Sequence, residues 1–432
     1  MGMTNTELKR IITESTEIRL TKIIRRNYDD DIEKLTDSSR PLKILTGIRR
    51  GGKSTILKKL YFKLIKEGKI PENNILFLNF EHPLLVEYLN LKRLVEIYDL
   101  FMSSVDTTKS IYLFLDEIQN VEGWEKFVRT IYDSTNINIF VTGSNSKLLS
   151  SEYTTTLGGR YIELHILPFN FKEFVLYHNL EIINGFDLVR NRNEILGLYN
   201  KFLSFGGIPE IIDLEDIQKL NLKSTLIDKI LLKDIIERFN VKYPTLLLSL
   251  LKYLEKNIGN IISSKNIMNI RDKTLDYDEK TISKYLTYLE QSYLIRRLEK
   301  FDIKTKSVFN TQKKYYFTDN IFSEYSSYTD KLENIVYTNL LRKYIDSESI
   351  YFGKALDGNE IDFIVDQKET KLNIQVCSEL TYENLARETK NILIKDGDFQ
   401  NILIYEKIGE IDTNNYPEIK FVNVINWLLD VE

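Results

Sequence analysis

Over residues 41–180, short and fully apolar runs alternate with longer stretches whose apolar residues recur at helical spacing. Leu42–Leu45, Ile75–Phe80, Ile111–Leu115 and Ile137–Thr142 are the apolar runs, and Tyr161–Leu167 is a further strand-like stretch. Thr55–Lys66, Leu84–Met102 and Trp124–Tyr132 read as the helices between them. Strands apolar on both faces and separated by helices predict a parallel sheet covered on both sides. Residues 1–40 are polar and helix-compatible, with Lys22-Ile-Ile-Arg-Arg26 ahead of Asp29-Asp30-Asp31. They predict a helical lead-in whose charges are solvated.

The pattern then changes twice. Residues 181–260 are mostly helical, with a turn at Phe205-Gly-Gly-Ile-Pro-Glu210 and amphipathic helices over Leu220–Phe239 and Leu246–Ile258. Residues 261–318 read as a winged helix-turn-helix. Its helices are Ser263–Ile270 and Thr281–Gln291, its break is Asp276-Tyr-Asp-Glu, and Tyr293–Phe301 and Lys314–Phe317 are its wing strands. From 330 onward the pattern is mixed α/β. Leu332–Tyr344 and Tyr382–Ile394 read as helices, and Trp427 sits in a terminal helix. Ser349–Phe352, Glu360–Val365, Leu372–Cys377 and Asn401–Tyr405 read as strands.

Composition narrows the function classes. At 432 residues the chain is too long for one ordinary core, and two or three domains are expected. A hydrophobic content of 43% and a charged content of 28% are those of a soluble globular protein. A net charge of −4 argues against coating nucleic acid by charge alone and leaves room for a local basic patch. Cys377 is the single cysteine, which rules out an internal disulfide and a cysteine zinc site. The histidines His82, His165 and His178 are scattered. The N-terminus lacks an apolar signal core, and no run of about 18 apolar residues occurs. The expectation is a cytoplasmic protein with no membrane partner.

The chemistry concentrates at strand ends. Gly47-Ile48-Arg49-Arg50-Gly51-Gly52-Lys53-Ser54, followed by Thr55, joins a strand to a helix and fits a phosphate-binding loop. The glycines let the backbone approach phosphate oxygens, and the loop amides with the helix N-terminus supply positive potential. In that context Lys53 reaches the terminal phosphates of ATP, and Ser54 holds Mg²⁺ through its hydroxyl. Asp116-Glu117 end a buried strand and fit the second motif of nucleotide hydrolases: Asp116 positions the metal and Glu117 polarises water. Ser144 and Asn145, after the next strand, are candidates to sense the γ-phosphate or orient water. Arg160 is a candidate to stabilise transferred phosphate, in its own subunit or a neighbour's, with a structural ion pair as the competing reading. Glu81 and Arg238 are further candidates. Arg296, Arg297, Lys300, Lys304, Lys306, Lys313 and Lys314 cluster in the wing. They read either as DNA backbone contacts or as a solvated surface diluted by Glu299 and Asp302.

Together, Gly47–Ser54, Leu115-Asp-Glu117, Thr142-Gly-Ser-Asn145, Gly159-Arg160 with Leu167-Pro-Phe169, and Gly206-Gly-Ile-Pro-Glu210 make the chain resemble a prokaryotic family. These are AAA+-type ATPases with a C-terminal domain of unknown function similar to the restriction-endonuclease fold. The resemblance covers about residues 20–405. It implies an α/β chain with a P-loop NTPase domain over 1–180, a helical lid over 181–260, a winged helix over 261–325 and a small endonuclease-like domain over 326–432. That last domain would carry a glutamate on a helix, here Glu333, then Glu360-Ile-Asp362, then an acid-x-Lys. Gln375-Val-Cys377 stands at the third position, so the carboxylate and the lysine needed for metal-assisted cleavage are missing. Lys371 is a neighbouring lysine able to substitute. The expected function is a Mg²⁺-dependent ATPase driving conformational change, with DNA, a protein partner or a second copy of the chain as associates. Two alternatives stay open: a nucleotide-gated binding switch and an ATP-regulated nuclease.

Overall fold

The computed structural model describes residues 3–17, 22–37, 39–68, 70–134, 137–145, 156–268, 277–302, 307–344, 349–354, 360–393 and 399–431. The chain divides into two compact units. The first comprises Met1–Leu167 with Gln291–Tyr293, and the second comprises Pro168–Glu290 with Leu294–Glu432.

The first unit is built on a five-stranded sheet of order β2-β3-β4-β1-β5. Its strands are β1 (Leu42–Thr46), β2 (Ile75–Asn79), β3 (Ile111–Asp116), β4 (Ile137–Gly143) and β5 (Tyr161–His165). Every pairing is parallel. The sheet has two buried faces, because side chains alternate along each strand. Ile44, Leu78, Leu113 and Val141 enter one core, while Leu45, Phe77, Phe114 and Phe140 enter the other. The helix Lys53–Lys66 buries Ile56, Leu57, Leu60, Tyr61 and Leu64 in the second core, a stripe at three- and four-residue spacing. The stretch expected as one helix over Leu84–Met102 is two elements. A 3₁₀ turn spans Pro83–Tyr88, and the helix proper is Leu91–Met102, started by the Asn90 side chain accepting from Arg93 N. The Asn90 cap supplies the boundary that apolar spacing alone does not mark.

The second unit opens with helices and closes with a seven-stranded mixed sheet of order β12-β11-β10-β9-β8-β6-β7. β6 (Ile295–Asp302) and β7 (Ser307–Phe317) form the hairpin read as wing strands. β6 also pairs in parallel with β8 (Ile350–Lys354), reached through the helix Tyr328–Lys343. β9 (Glu360–Asp366), β10 (Lys371–Leu380), β11 (Gln400–Ile408) and β12 (Ile419–Asn423) complete the sheet. The expected boundary at 325/326 thus falls between strands of one sheet. β12 carries a weak sequence signal because Lys420 interrupts a five-residue strand that charged Glu418 precedes. The helix expected over Leu220–Phe239 runs as Asp216–Lys229 and then widens into a π-helical stretch, Ile230–Glu237.

Among the described residues of the hairpin, Arg297 and Lys314 are engaged with acids. Lys304 and Lys306 lie outside the described residues. Arg297 sits 3.4 Å from Glu299 and 3.9 Å from Glu290. Lys314 points into the interior, with its side chain 1% exposed.

Candidate functional site

Parallel sheets with two covered faces leave their ligand chemistry at the carboxyl ends of the strands, and the phosphate-loop residues gather there. Gly47 follows β1 with φ +139°, and a Cβ on it would lie 2.1 Å from the Ile166 carbonyl oxygen. Gly52 caps the following helix with φ +102°. Arg50 holds φ +63° between them, a left-handed conformation uncommon outside glycine. Arg49 pairs with Glu81 at 2.6 Å. Lys53 Nζ donates to the Gly47 and Ile48 carbonyls at 2.9 and 3.0 Å and lies 3.8 Å from Glu117 Oε1.

The two acids and the loop serine meet across 62 residues of sequence. Ser54 Oγ donates to Asp116 Oδ1 at 3.0 Å, and Thr142 Oγ1 donates to the same oxygen at 2.6 Å. Asp116 Oδ2 is buried and has no hydrogen-bond partner. Burial, and then the neighbouring Glu117 carboxylate, push the Asp116 carboxyl up to about 6, against the hydroxyls of Thr142 and Ser54 and the Lys53 ammonium. Glu117 sits at φ +55°, its N–H donating to Thr142 Oγ1 at 2.9 Å and its Oε2 accepting from Gln119 Nε2. Ser144 and Asn145 follow β4 and are fully buried, with Gln119 Nε2 reaching Ser144 Oγ at 3.5 Å.

Arg160 is not at this end of the sheet. It precedes β5, where its carbonyl accepts from Leu42 N at the amino end of β1. Its guanidinium pairs with Asp133 at 2.6 Å. Arg238 belongs to the second unit. Two residues near the phosphate loop carry no sequence signature of their own, and Thr142 carries none beyond its tetrapeptide. Gln119 holds Glu117. Arg26, read as solvated, is buried and donates to the Leu167 carbonyl at 2.7 Å and to the Gly51 carbonyl at 3.5 Å. Its signal was faint: an arginine beside Asp29, whose carboxylate accepts from Arg26 N at 2.8 Å.

In the second unit Glu333, Glu360 and Asp362 do converge. Lys371 is not with them; it lies 4.0 Å from Asp366. Gln375 Nε2 donates to Glu388 at 3.2 Å, and the Cys377 thiol is pushed up to about 11 by burial and then by Glu388.

A family model described as an AAA domain matches residues 39–175, and one described as a domain of unknown function matches residues 196–346. An uncharacterized protein of Haemophilus influenzae is 34% identical over 416 residues, 94% of this chain and 98% of its own length. An uncharacterized protein of Methanocaldococcus jannaschii is 35% identical over 430 residues, 95% of this chain and 92% of its own. Among solved structures, the Orc1 protein of Aeropyrum pernix in complex with DNA aligns with a TM-score of 0.34 at 13% identity, over 72% of this chain and 95% of that one. A superposition that loose carries no functional argument. The parallel five-stranded sheet with its phosphate loop is the P-loop NTPase fold, its residues 39–175 match the AAA-domain model, and the chain belongs to the family of these H. influenzae and M. jannaschii proteins.

Proposed function

We propose that the chain is a Mg²⁺-dependent ATPase whose site is the carboxyl edge of the first unit's sheet. The observation that carries this reading is the hydrogen bond from Ser54 to Asp116, with Asp116 Oδ2 buried beside it and unpartnered. A serine hydroxyl and a carboxylate are the hard oxygen donors that Mg²⁺ takes. Ser54 and Asp116 would hold the ion, which when bound would supply positive charge to neutralise the phosphates.

This chain's residues do the rest. The Gly47–Gly52 backbone wraps the phosphates, with Gly47 and Gly52 at the positive φ that glycine adopts freely, and Lys53 turns its ammonium from the loop carbonyls to the phosphate oxygens. Glu117, held by Gln119, accepts a proton from the attacking water; Ser144 and Asn145 orient that water. Phosphoryl transfer of this kind needs positioning and charge stabilisation more than covalent chemistry. Arg160 takes no part within its own subunit. Binding of a fluorescent ATP analogue with Mg²⁺ tests the loop: Lys53→Ala is expected to abolish it, and affinity equal to wild type would overturn the assignment.

The switch reading with DNA as ligand leans on the basic hairpin. With Lys314 withdrawn and Arg297 between two acids, the hairpin offers less cationic surface than its sequence suggests.

A further inference from the structure

Glu333 comes from the helix Tyr328–Lys343, and Glu360 and Asp362 alternate on β9, so both strand acids face the same side. Their cation does not come from β10, where Gln375 and Cys377 stand. It comes from β7. Lys314 Nζ lies 2.5 Å from Glu360 Oε1 and 3.4 Å from Glu333 Oε1. The Tyr316 hydroxyl, two residues on, donates to the same Glu333 oxygen, and Val376 N donates to Asp362 Oδ2 at 2.8 Å. Burial works against a charged ammonium here, yet the carboxylates of Glu333, Asp362 and Glu360 outweigh it and raise Lys314 above its ordinary range. Burial likewise raises the carboxyls of Glu333 and Asp362.

The Glu333 side of the cluster is covered, while the Glu360 side chain stays 39% exposed. Gly259 has φ +69°, and a Cβ there would lie 2.9 Å from Glu333 Oε1. The covering segment is tied to β7 on both sides of Asn260: Gly259 N donates to the Tyr315 carbonyl at 3.3 Å and Ile262 N to the Lys313 carbonyl at 2.7 Å. Among the described residues, no group of three or more His, Cys, Asp or Glu side chains is arranged to hold a metal ion.

We propose that this three-carboxylate cluster is a cation site whose occupant is the chain's own Lys314 ammonium, standing where a divalent ion would otherwise balance Glu333, Glu360 and Asp362. The second unit therefore takes up no Mg²⁺ at this cluster and does not cleave nucleic acid. The inference rests on the second unit alone and is independent of nucleotide hydrolysis in the first. The cation is supplied from β7, with its side chain 1% exposed.

Thermal unfolding of the nucleotide-free full chain, titrated with Mn²⁺ and separately with methylammonium, tests this. Lys314→Ala leaves the acids without their cation and is expected to melt lower, on the order of 10 °C. Millimolar Mn²⁺ or methylammonium should restore much of that loss, and adding Asp362→Asn should remove the Mn²⁺ recovery. Wild type and Asp362→Asn should respond to Mn²⁺ alike, since any metal taken at Asp116 affects both equally. A Mn²⁺-dependent rise in wild type that Asp362→Asn abolishes would overturn the proposal, as would metal-dependent nicking of duplex DNA lost in that variant. Lys314→Ala melting like wild type would overturn it too. If Lys314→Ala does not fold, wild type against Asp362→Asn decides: an equal response supports the proposal and a lost response overturns it.

Discussion

Asp116 is 1% exposed, yet one of its carboxylate oxygens has no hydrogen-bond partner. Leaving such an atom unmatched costs about 1–3 kcal/mol. The folded carboxyl sits near 6, above its ordinary 3.8, so between those values the folded state holds a proton the unfolded chain has lost. Stability at this residue is therefore present at low pH and falls as pH rises through that window. Asp116→Asn, which cannot ionise, is expected to melt higher than wild type at pH 7.5 without nucleotide. That advantage should shrink toward pH 4, while Mg²⁺-ATP turnover is lost at every pH. Differential scanning calorimetry across the range checks the sign. Gly47→Ala makes the opposite point, since its Cβ would meet a backbone carbonyl that cannot move aside. Nucleotide binding should vanish with the remaining fold retained. Lys53, Ser54, Asp116 and Glu117 were legible in the sequence because their chemistry is fixed by position relative to a strand end. The hydroxyl of Thr142 acts through contacts with Asp116 and Glu117 from another strand, and Gln119 holds Glu117 through a turn contact that no motif announces.

At the scale of elements, the segment before β1 shows what periodicity misses. Lys22-Ile-Ile-Arg-Arg26 reads as a solvated basic run, but Arg26 is folded in to bond two carbonyls at the base of the phosphate loop. A hydrogen bond from a charged donor contributes about 1.5–3 kcal/mol. Arg26→Ala should lower the melting temperature and weaken ATP binding severalfold, with turnover at saturation little changed; equilibrium binding and saturation kinetics separate the two. Gly206-Gly-Ile-Pro-Glu210 was legible as a turn, and its reason lies elsewhere in the chain. Gly206 has φ +70°, a Cβ there would come within 1.7 Å of Asp319 Oδ1, and Gly207 N donates to Asp319 Oδ2 at 2.8 Å. The glycine pair makes room for a buried carboxylate more than 100 residues away. Gly206→Ala is expected to destabilise the second unit without changing nucleotide affinity. Strands β1 to β4 of the first sheet were readable almost to the residue because both of their faces are apolar. The weakly patterned edge strand β12 was not.

On the scale of the whole molecule, the sequence suggested four segments and the chain packs as two units, each with its own core. The difference arises because β6 pairs in parallel with β8, a link between distant residues that no window of sequence contains. Ligand that binds only the folded first unit stabilises that unit by mass action, about 2.7 kcal/mol at one hundred times its dissociation constant. Mg²⁺-ATP should therefore raise one unfolding transition, and Lys53→Ala should cancel that rise. The most direct test of the central claim is steady-state Mg²⁺-ATP hydrolysis by wild type and Glu117→Gln, with ATP binding measured on the same samples. The expected result is turnover by wild type, and in Glu117→Gln undiminished binding with turnover roughly 100-fold slower or worse, the loss typical of removing a catalytic base. Equal turnover by the two proteins would contradict the role of Glu117, and wild type that binds no ATP would contradict the site itself.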